Sequence, residues 1–286
     1  LDADLVTLDL VVTNAQGEYV TDIKQSEVRL FEDGQLRSID FFSPASQLDP
    51  NRPLACVLAL DVSGSVTKQE LRLQREAAQR FTTLVRPESL FGVIAFNHEV
   101  RVVQKLTSDP KAVGKAFDKA GAAGGATRIF DALDQAVNIL SKAPASRGGR
   151  RLRRVVVVIT DGYDNASTIQ AVELIRRASA AGVTIYSITL PSYMTTLAGT
   201  RERVLTILEA HGVVAATGGL DYSADNGRYE PIFRAIAEEV ASGYQLAIYP
   251  PDAKRRDGKV HSLRVEIARP GLTVRASRNG YESPKN

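Results

Sequence analysis

Asp61, Ser63 and Ser65 place a carboxylate and two hydroxyls at alternate positions, and Gly64 between the hydroxyls lets the backbone bend tightly. A second carboxylate, Asp161, precedes Gly162, and a third hydroxyl, Thr127, follows Gly124-Gly125-Ala126. A set made only of oxygens suits a hard cation such as magnesium, which takes an octahedron and keeps several of its waters. With three neutral hydroxyls and at least one of the two carboxylates acting through water, such an ion is left incompletely neutralised, so a carboxylate from outside can complete its shell.

These groups need elements that bring them together. Leu54 to Leu60 is an unbroken apolar run, the pattern of a strand buried on both faces, and it stops at Asp61. Val155 to Thr160 is a second such run, β-branched and ending at Asp161. Thr67 stands three residues before Glu70, a capping box that opens a helix with Leu71, Ala77, Ala78, Phe81, Leu84 and Val85 on its apolar face. Thr127 leads into a helix with Ile129, Leu133, Ala136, Val137 and Leu140 inward. The donors therefore fall beyond the carboxyl ends of strands, where open parallel sheets bind ligands.

Asp61-Val-Ser63-Gly-Ser65, Thr127 after paired glycines, and Thr160-Asp161-Gly162 together resemble the metal-ion-dependent adhesion site of von Willebrand factor type A domains. Three separated segments match in the family's order, and the resemblance covers roughly Pro53 to Ser242. It implies that Asp61, Ser63, Ser65, Thr127 and Asp161 hold Mg2+, with Mn2+ or Ca2+ as substitutes. It also implies that an Asp or Glu carboxylate of a protein partner binds the metal directly. Taken as single segments, Ser63 and Ser65 would cap a helix and the aspartates would close turns, but their coincidence would then have no cause.

The flanks read differently. Val6, Leu8, Leu10 and Val12 alternate with other residues, and Asp33-Gly34 signals a hairpin between Val28–Glu32 and a return strand over Arg37 to Phe42. From Tyr244 the alternation resumes through Leu246 and Ile248, Leu263 to Ile267, and Leu272 to Ala276. Neither flank has strands enough for a core of its own, so the two are expected to pair into one β-sandwich of immunoglobulin-like character. The flanks resemble those of bacterial proteins related to the von Willebrand type A family. The expected fold class is α/β: a doubly wound, mostly parallel, Rossmann-like sheet inserted in a β-sandwich formed by the N- and C-terminal segments. The expected division is 1–52, 53–242 and 243–286.

Within the insertion, Leu90 to Phe96 and Val100 to Leu106 flank an Asn97-His98 turn, which makes one antiparallel edge. Asp109-Pro110 starts a helix, and Ser167 is expected to cap another that Gly182 ends. Val183 to Leu190 is a further buried strand, Pro191 to Arg203 a loop, Val204 to His211 a short helix, and Ile232 to Val240 part of the last helix.

Composition narrows the function. A net charge of +3 over 286 residues gives no reason to expect nucleic acid or an acidic membrane. One cysteine, Cys56, permits no internal disulfide, and its apolar neighbours make it a small hydrophobe. No run is apolar and long enough to span a bilayer. The chain begins at Leu1, which permits a removed leader. An extracytoplasmic location follows from the resemblance alone.

The five arginines between Arg147 and Arg154 read as a solvated loop, since no aromatic residues interleave. His98, His211 and His261 fall in three different elements, so neither a zinc cluster nor a catalytic triad is signalled. Gly121 to Gly125 lacks the lysine of a phosphate loop. Asp164 and Asn165 read as turn formers, the alternative being support for the metal ligands. The leading expectation is a non-enzymatic, metal-dependent protein-binding module. The alternatives are a metal-dependent hydrolase with Asp164 as base, or a scaffold whose metal is structural.

Overall fold

The computed structural model describes residues 5–43, 52–64, 66–121, 124–190, 193–195, 201–224 and 227–285. Four amino-terminal strands, β1 (Val6–Thr13), β2 (Val28–Glu32), β3 (Gln35–Arg37) and β4 (Phe41–Ser43), precede the first buried run, β5 (Leu54–Asp61). Then come α1 (Lys68–Leu84), β6 (Leu90–Phe96), β7 (Val100–Thr107), α2 (Pro110–Ala120) and α3 (Ile129–Ser141). A small hairpin, β8 (Ser146–Arg147) and β9 (Arg150–Arg151), leads to β10 (Arg153–Thr160), α4 (Ala171–Ala181) and β11 (Val183–Thr189). A second short hairpin, β12 (Tyr193–Thr195) and β13 (Arg201–Arg203), is followed by α5 (Ile207–Ala210), α6 (Val213–Ala216), β14 (Asp221–Ser223) and α7 (Tyr229–Ala241). The chain ends in β15 (Tyr244–Ile248), β16 (Val260–Ile267), β17 (Thr273–Ala276) and β18 (Gly280–Glu282).

The central sheet has the order β14-β11-β10-β5-β6-β7, parallel throughout except for β7, which pairs antiparallel with β6 at the edge. Every residue of β5, β6 and β11 is buried because helices cover both faces. Leu54, Leu58, Phe81, Phe91, Val157 and Phe233 form the layer beneath α1, α2 and α7. Val57, Ile94, Leu133, Val158, Leu174 and Ile185 form the layer beneath α3 and α4. Each fully buried side chain of this size contributes roughly 1.5–3 kcal/mol through removal from water. The expected doubly wound sheet is thus present.

The terminal segments form two four-stranded sheets, β17-β1-β15-β4 and β18-β16-β2-β3. Leu8, Leu10, Leu30, Tyr244, Leu246 and Leu263 fill the space between them. β1 pairs β15 antiparallel and β2 pairs β16, so each sheet is built from both ends of the chain. The Asp33-Gly34 hairpin is tight: Glu32 opposes Gln35, and φ is 50° at Asp33 and 80° at Gly34. Two positive φ values are what a two-residue turn matching strand twist requires.

The structure corrects several sequence expectations. The return strand stops at Arg37, and Phe41–Ser43 crosses to pair with β15 in the other sheet. The amide of Asp40 donates to the Ala247 carbonyl at 3.1 Å, anchoring that crossing. Ser167 does not cap α4, whose N-cap is Gln170 without a side-chain bond. The expected loop from Pro191 to Arg203 contains the β12-β13 hairpin, and other residues of that span lie outside the described ones. The arginine stretch is only partly solvated. Arg153 is 3 % exposed and donates to the Val240 carbonyl at 3.1 Å, and Arg154 donates to the Ala181 carbonyl at 2.8 Å.

Candidate metal centre

The register of the central sheet decides which donors meet. Leu60 of β5 opposes Ile159 of β10, so Asp61 and Thr160 emerge side by side at the same rim. The Thr160 hydroxyl donates to Asp61 Oδ2 at 2.7 Å, and the Ser63 amide donates to Asp61 Oδ1 at 2.9 Å. Asp61 is 1 % exposed. Burial pushes its carboxyl pKa up, hydrogen bonds from Thr160 and Ser63 oppose the rise, and the nearby Asp161 charge adds to it. Among the described residues, the groups that hold the carboxylate are hydroxyl and amide donors rather than a cation.

The Gly124–Thr127 segment is drawn to the same rim by two asparagines. Asn97, 2 % exposed in the β6-β7 turn, donates from Nδ2 to the Gly124 carbonyl at 3.0 Å. Asn165 accepts the Thr127 amide on Oδ1 at 2.8 Å, and its own amide donates to the Thr127 carbonyl at 3.2 Å. Thr127 is buried, as is Ser63. The first loop and this one touch: a Cβ at Gly64 would stand 3.6 Å from the Gly124 Cα. Asp161 follows Thr160 directly, and Gly162 adopts φ 90° with Thr206 packed where a Cβ would lie. That close approach admits only glycine.

Four of the expected ligands, Asp61, Ser63, Thr127 and Asp161, therefore lie on loops that converge at one end of the sheet. Ser65 lies outside the described residues. The chemistry of the set fits a hard divalent ion: oxygen donors only, with the Asp161 charge near enough to Asp61 to act on its carboxyl. Among the described residues there is no group of three or more His, Cys, Asp and Glu side chains able to hold a metal, so any cation here depends on the hydroxyls.

Three residues support the donors from behind, and the sequence signals them only weakly. Thr160 was legible only as a neighbour of Asp161, and Asn97 only as a turn residue. For Asn165 the sequence favours a turn former over support for the metal ligands, and the structure shows the supporting contact: its side chain fastens Thr127 across 38 positions. Asp164 combines turn and support, since it accepts the Phe130 amide at 2.9 Å and the Ser167 hydroxyl and amide at 2.6 and 3.0 Å. Asp131 in turn accepts the amides of Thr168 and Ile169. The start of α3 and the loop after β10 are thus stitched into one unit. Cys56 is buried in β5, and burial pushes its thiol pKa up, in keeping with a core role.

Fold and rim loops define an α/β domain of the open-sheet class with an oxygen-rich crevice at the carboxyl ends of its strands. The chain belongs to the von Willebrand factor type A domain family, whose model matches residues 56–209. Solved structures agree on the fold. A von Willebrand factor type A protein from Catenulispora acidiphila aligns over 100 % of this chain and 76 % of its own, at 13 % identity and a TM-score of 0.54. Proximal thread matrix protein 1 from the mussel byssus aligns over 67 % of this chain and 49 % of its own, at 16 % identity and a TM-score of 0.54. A further structure of that mussel protein, with zinc in its MIDAS motif, aligns over 73 % of this chain and 49 % of its own, at 14 % identity and a TM-score of 0.54.

Proposed function

We propose that this protein is a metal-dependent protein-binding module in which Asp61, Ser63, Ser65, Thr127 and Asp161 hold a divalent cation. Magnesium is the favoured ion, with manganese or calcium as substitutes, and a partner's Asp or Glu carboxylate completes the shell. The observation that carries the reading is the buried Asp61 carboxylate at the sheet rim, braced by Thr160 and facing a second acid and hydroxyl-bearing loops. A buried carboxylate without a cationic partner is costly unless a counter-charge is supplied, and a bound ion supplies it. The zinc in the mussel protein's motif supports a divalent site in this fold. We read residues 53–242 as the binding domain and 1–52 with 243–286 as an immunoglobulin-like sandwich that carries it. The family resemblance supports an extracytoplasmic location. Among the described residues, no helix is long and apolar enough to cross a membrane.

What speaks against the hydrolase alternative is that its candidate base, Asp164, accepts the Phe130 amide and the Ser167 hydroxyl, which gives it a structural task. The test is a magnesium titration by calorimetry on the parent chain and on Asp61→Ala, with a pull-down from the native source in magnesium and in chelator. Saturable binding and a magnesium-dependent partner, both absent from a folded Asp61→Ala, are expected. Undiminished capture in chelator would overturn the reading.

A further inference from the structure

Beside the candidate metal centre lies an open cavity of about 550 Å3, bordered by the start of α3, the loop after β10, α4 and α5. Phe130, Ile169, Val172, Ile175, Ile207 and His211 supply its apolar and aromatic walls, and the Phe130 and His211 rings meet edge-on at 5.8 Å. It shares walls with the donor loops on two sides. Asn165 lines it while holding the Thr127 amide, and the Ile207 amide donates to the Gly162 carbonyl at 3.0 Å, one residue beyond Asp161. Val172 stands at its rim 77 % exposed, and with Ile175 it also borders a second cavity of about 260 Å3 between α4 and β18.

We infer that this cavity receives an aliphatic or aromatic side chain of the same partner segment whose carboxylate meets the cation. The inference rests on the proposed metal-dependent binding and names its partner: an acidic residue with a large apolar residue a few positions away. A cation accepts any accessible carboxylate, so selectivity has to come from what surrounds it. An apolar recess with a few fixed polar groups is the usual means of orienting a ligand. The shared walls argue for one occupant, because an extended segment advances about 3.3 Å per residue and reaches from acid to recess within a short offset. Filling the recess with a Leu or Phe side chain strengthens binding about tenfold or more over a glycine there.

A displayed library of random heptapeptides with a central Asp or Glu, selected against the full chain in magnesium and in chelator, tests this. The expected result is magnesium-dependent enrichment of an aliphatic or aromatic residue at one offset from the acid. In Val172→Glu that enrichment disappears while the acid is still selected, and Ile207→Glu behaves alike. An acid selected without any apolar position overturns the inference and leaves the metal reading standing. An apolar preference unchanged in both folded variants overturns the cavity as its seat. If no peptide is selected in a magnesium-dependent way, the metal reading fails and the inference fails with it.

Discussion

Arg275 of β17 and Glu239 of α7 form an ion pair at 2.9 Å that fastens the last helix of the α/β domain to the terminal sandwich. Glu239 is fully buried and also accepts the Tyr186 hydroxyl at 2.6 Å, so one carboxylate joins α7, β11 and β17. Removing one member of a buried pair strands the other charge. Arg275→Met should destabilise the protein by about 3 kcal/mol in urea unfolding. Arg275→Met with Glu239→Gln should recover much of that loss, and equal losses in the single and double variants would show that the pair is not what matters there.

Asn165 holds Thr127 by both its side chain and its backbone. Groups that orient a ligand without touching the metal typically alter affinity about 10–100-fold when removed. Asn165→Ala is expected to weaken magnesium binding about tenfold in calorimetry with little change in circular dichroism. Wild-type affinity in that variant would remove Thr127 from the ligand set.

Gly162 carries φ 90°, and a Cβ there would lie 2.6 Å from Thr206 Cγ2. Gly162→Ala should cost about 1–2 kcal/mol from backbone strain alone, with the steric conflict added to it. Because the residue follows Asp161, magnesium affinity should fall as well. Chemical denaturation and metal titration of the same sample separate the two effects.

His261 sits between Asp33 and Asp257, with Nδ1 2.8 Å from Asp33 Oδ2 and Nε2 3.2 Å from Asp257 Oδ1. Burial works against the charged ring, but the bonds to both aspartates outweigh it and raise the imidazole pKa above the ordinary value. Lys254 also faces Asp33, at 2.7 Å, and bonds from Lys254 and His261 hold the Asp33 carboxyl well below the usual range. A raised histidine pKa stabilises the folded state fully below the unfolded value of about 6.5 and loses that contribution as pH rises through the folded value. The depressed Asp33 contributes above its unfolded pKa of about 3.9 and loses its contribution as acid protonates it in the fold. Melting temperature should therefore decline from about pH 6 towards pH 8, and His261→Gln should flatten that slope. An unchanged slope in the variant would move the titration elsewhere.

Much of the architecture is visible along the chain itself. β5 and the 155–160 part of β10 read as apolar runs because strands covered on both faces need no polar alternation, and an acid ends the first and directly follows the second. Thr67 and Glu70 form the expected capping box, with the Glu70 amide 3.2 Å from the Thr67 hydroxyl. Asp109 caps α2 with Pro110 at its first turn, and Gly182 ends α4 in a left-handed conformation. In β1, by contrast, Val11 and Asp9 are buried although alternation put them outward. Their face is covered by other parts of the chain: Arg52 pairs with Asp9, and Ser277 accepts its amide.

The sequence by itself determined the buried strands of the central sheet, the Thr67 and Asp109 helix caps, the tight Asp-Gly turn and the order of the oxygen donors, because each depends on side chains a few positions apart. Tertiary structure alone decided that Thr160 braces Asp61, that Asn165 fastens Thr127, that Ser167 serves α3 instead of α4, and that Arg153 is buried. Each of those is a hydrogen bond or a covered face between segments distant along the chain. Local periodicity carries no signal for such partners, since they are set by strand register and by which surfaces of the two layers come to rest against each other.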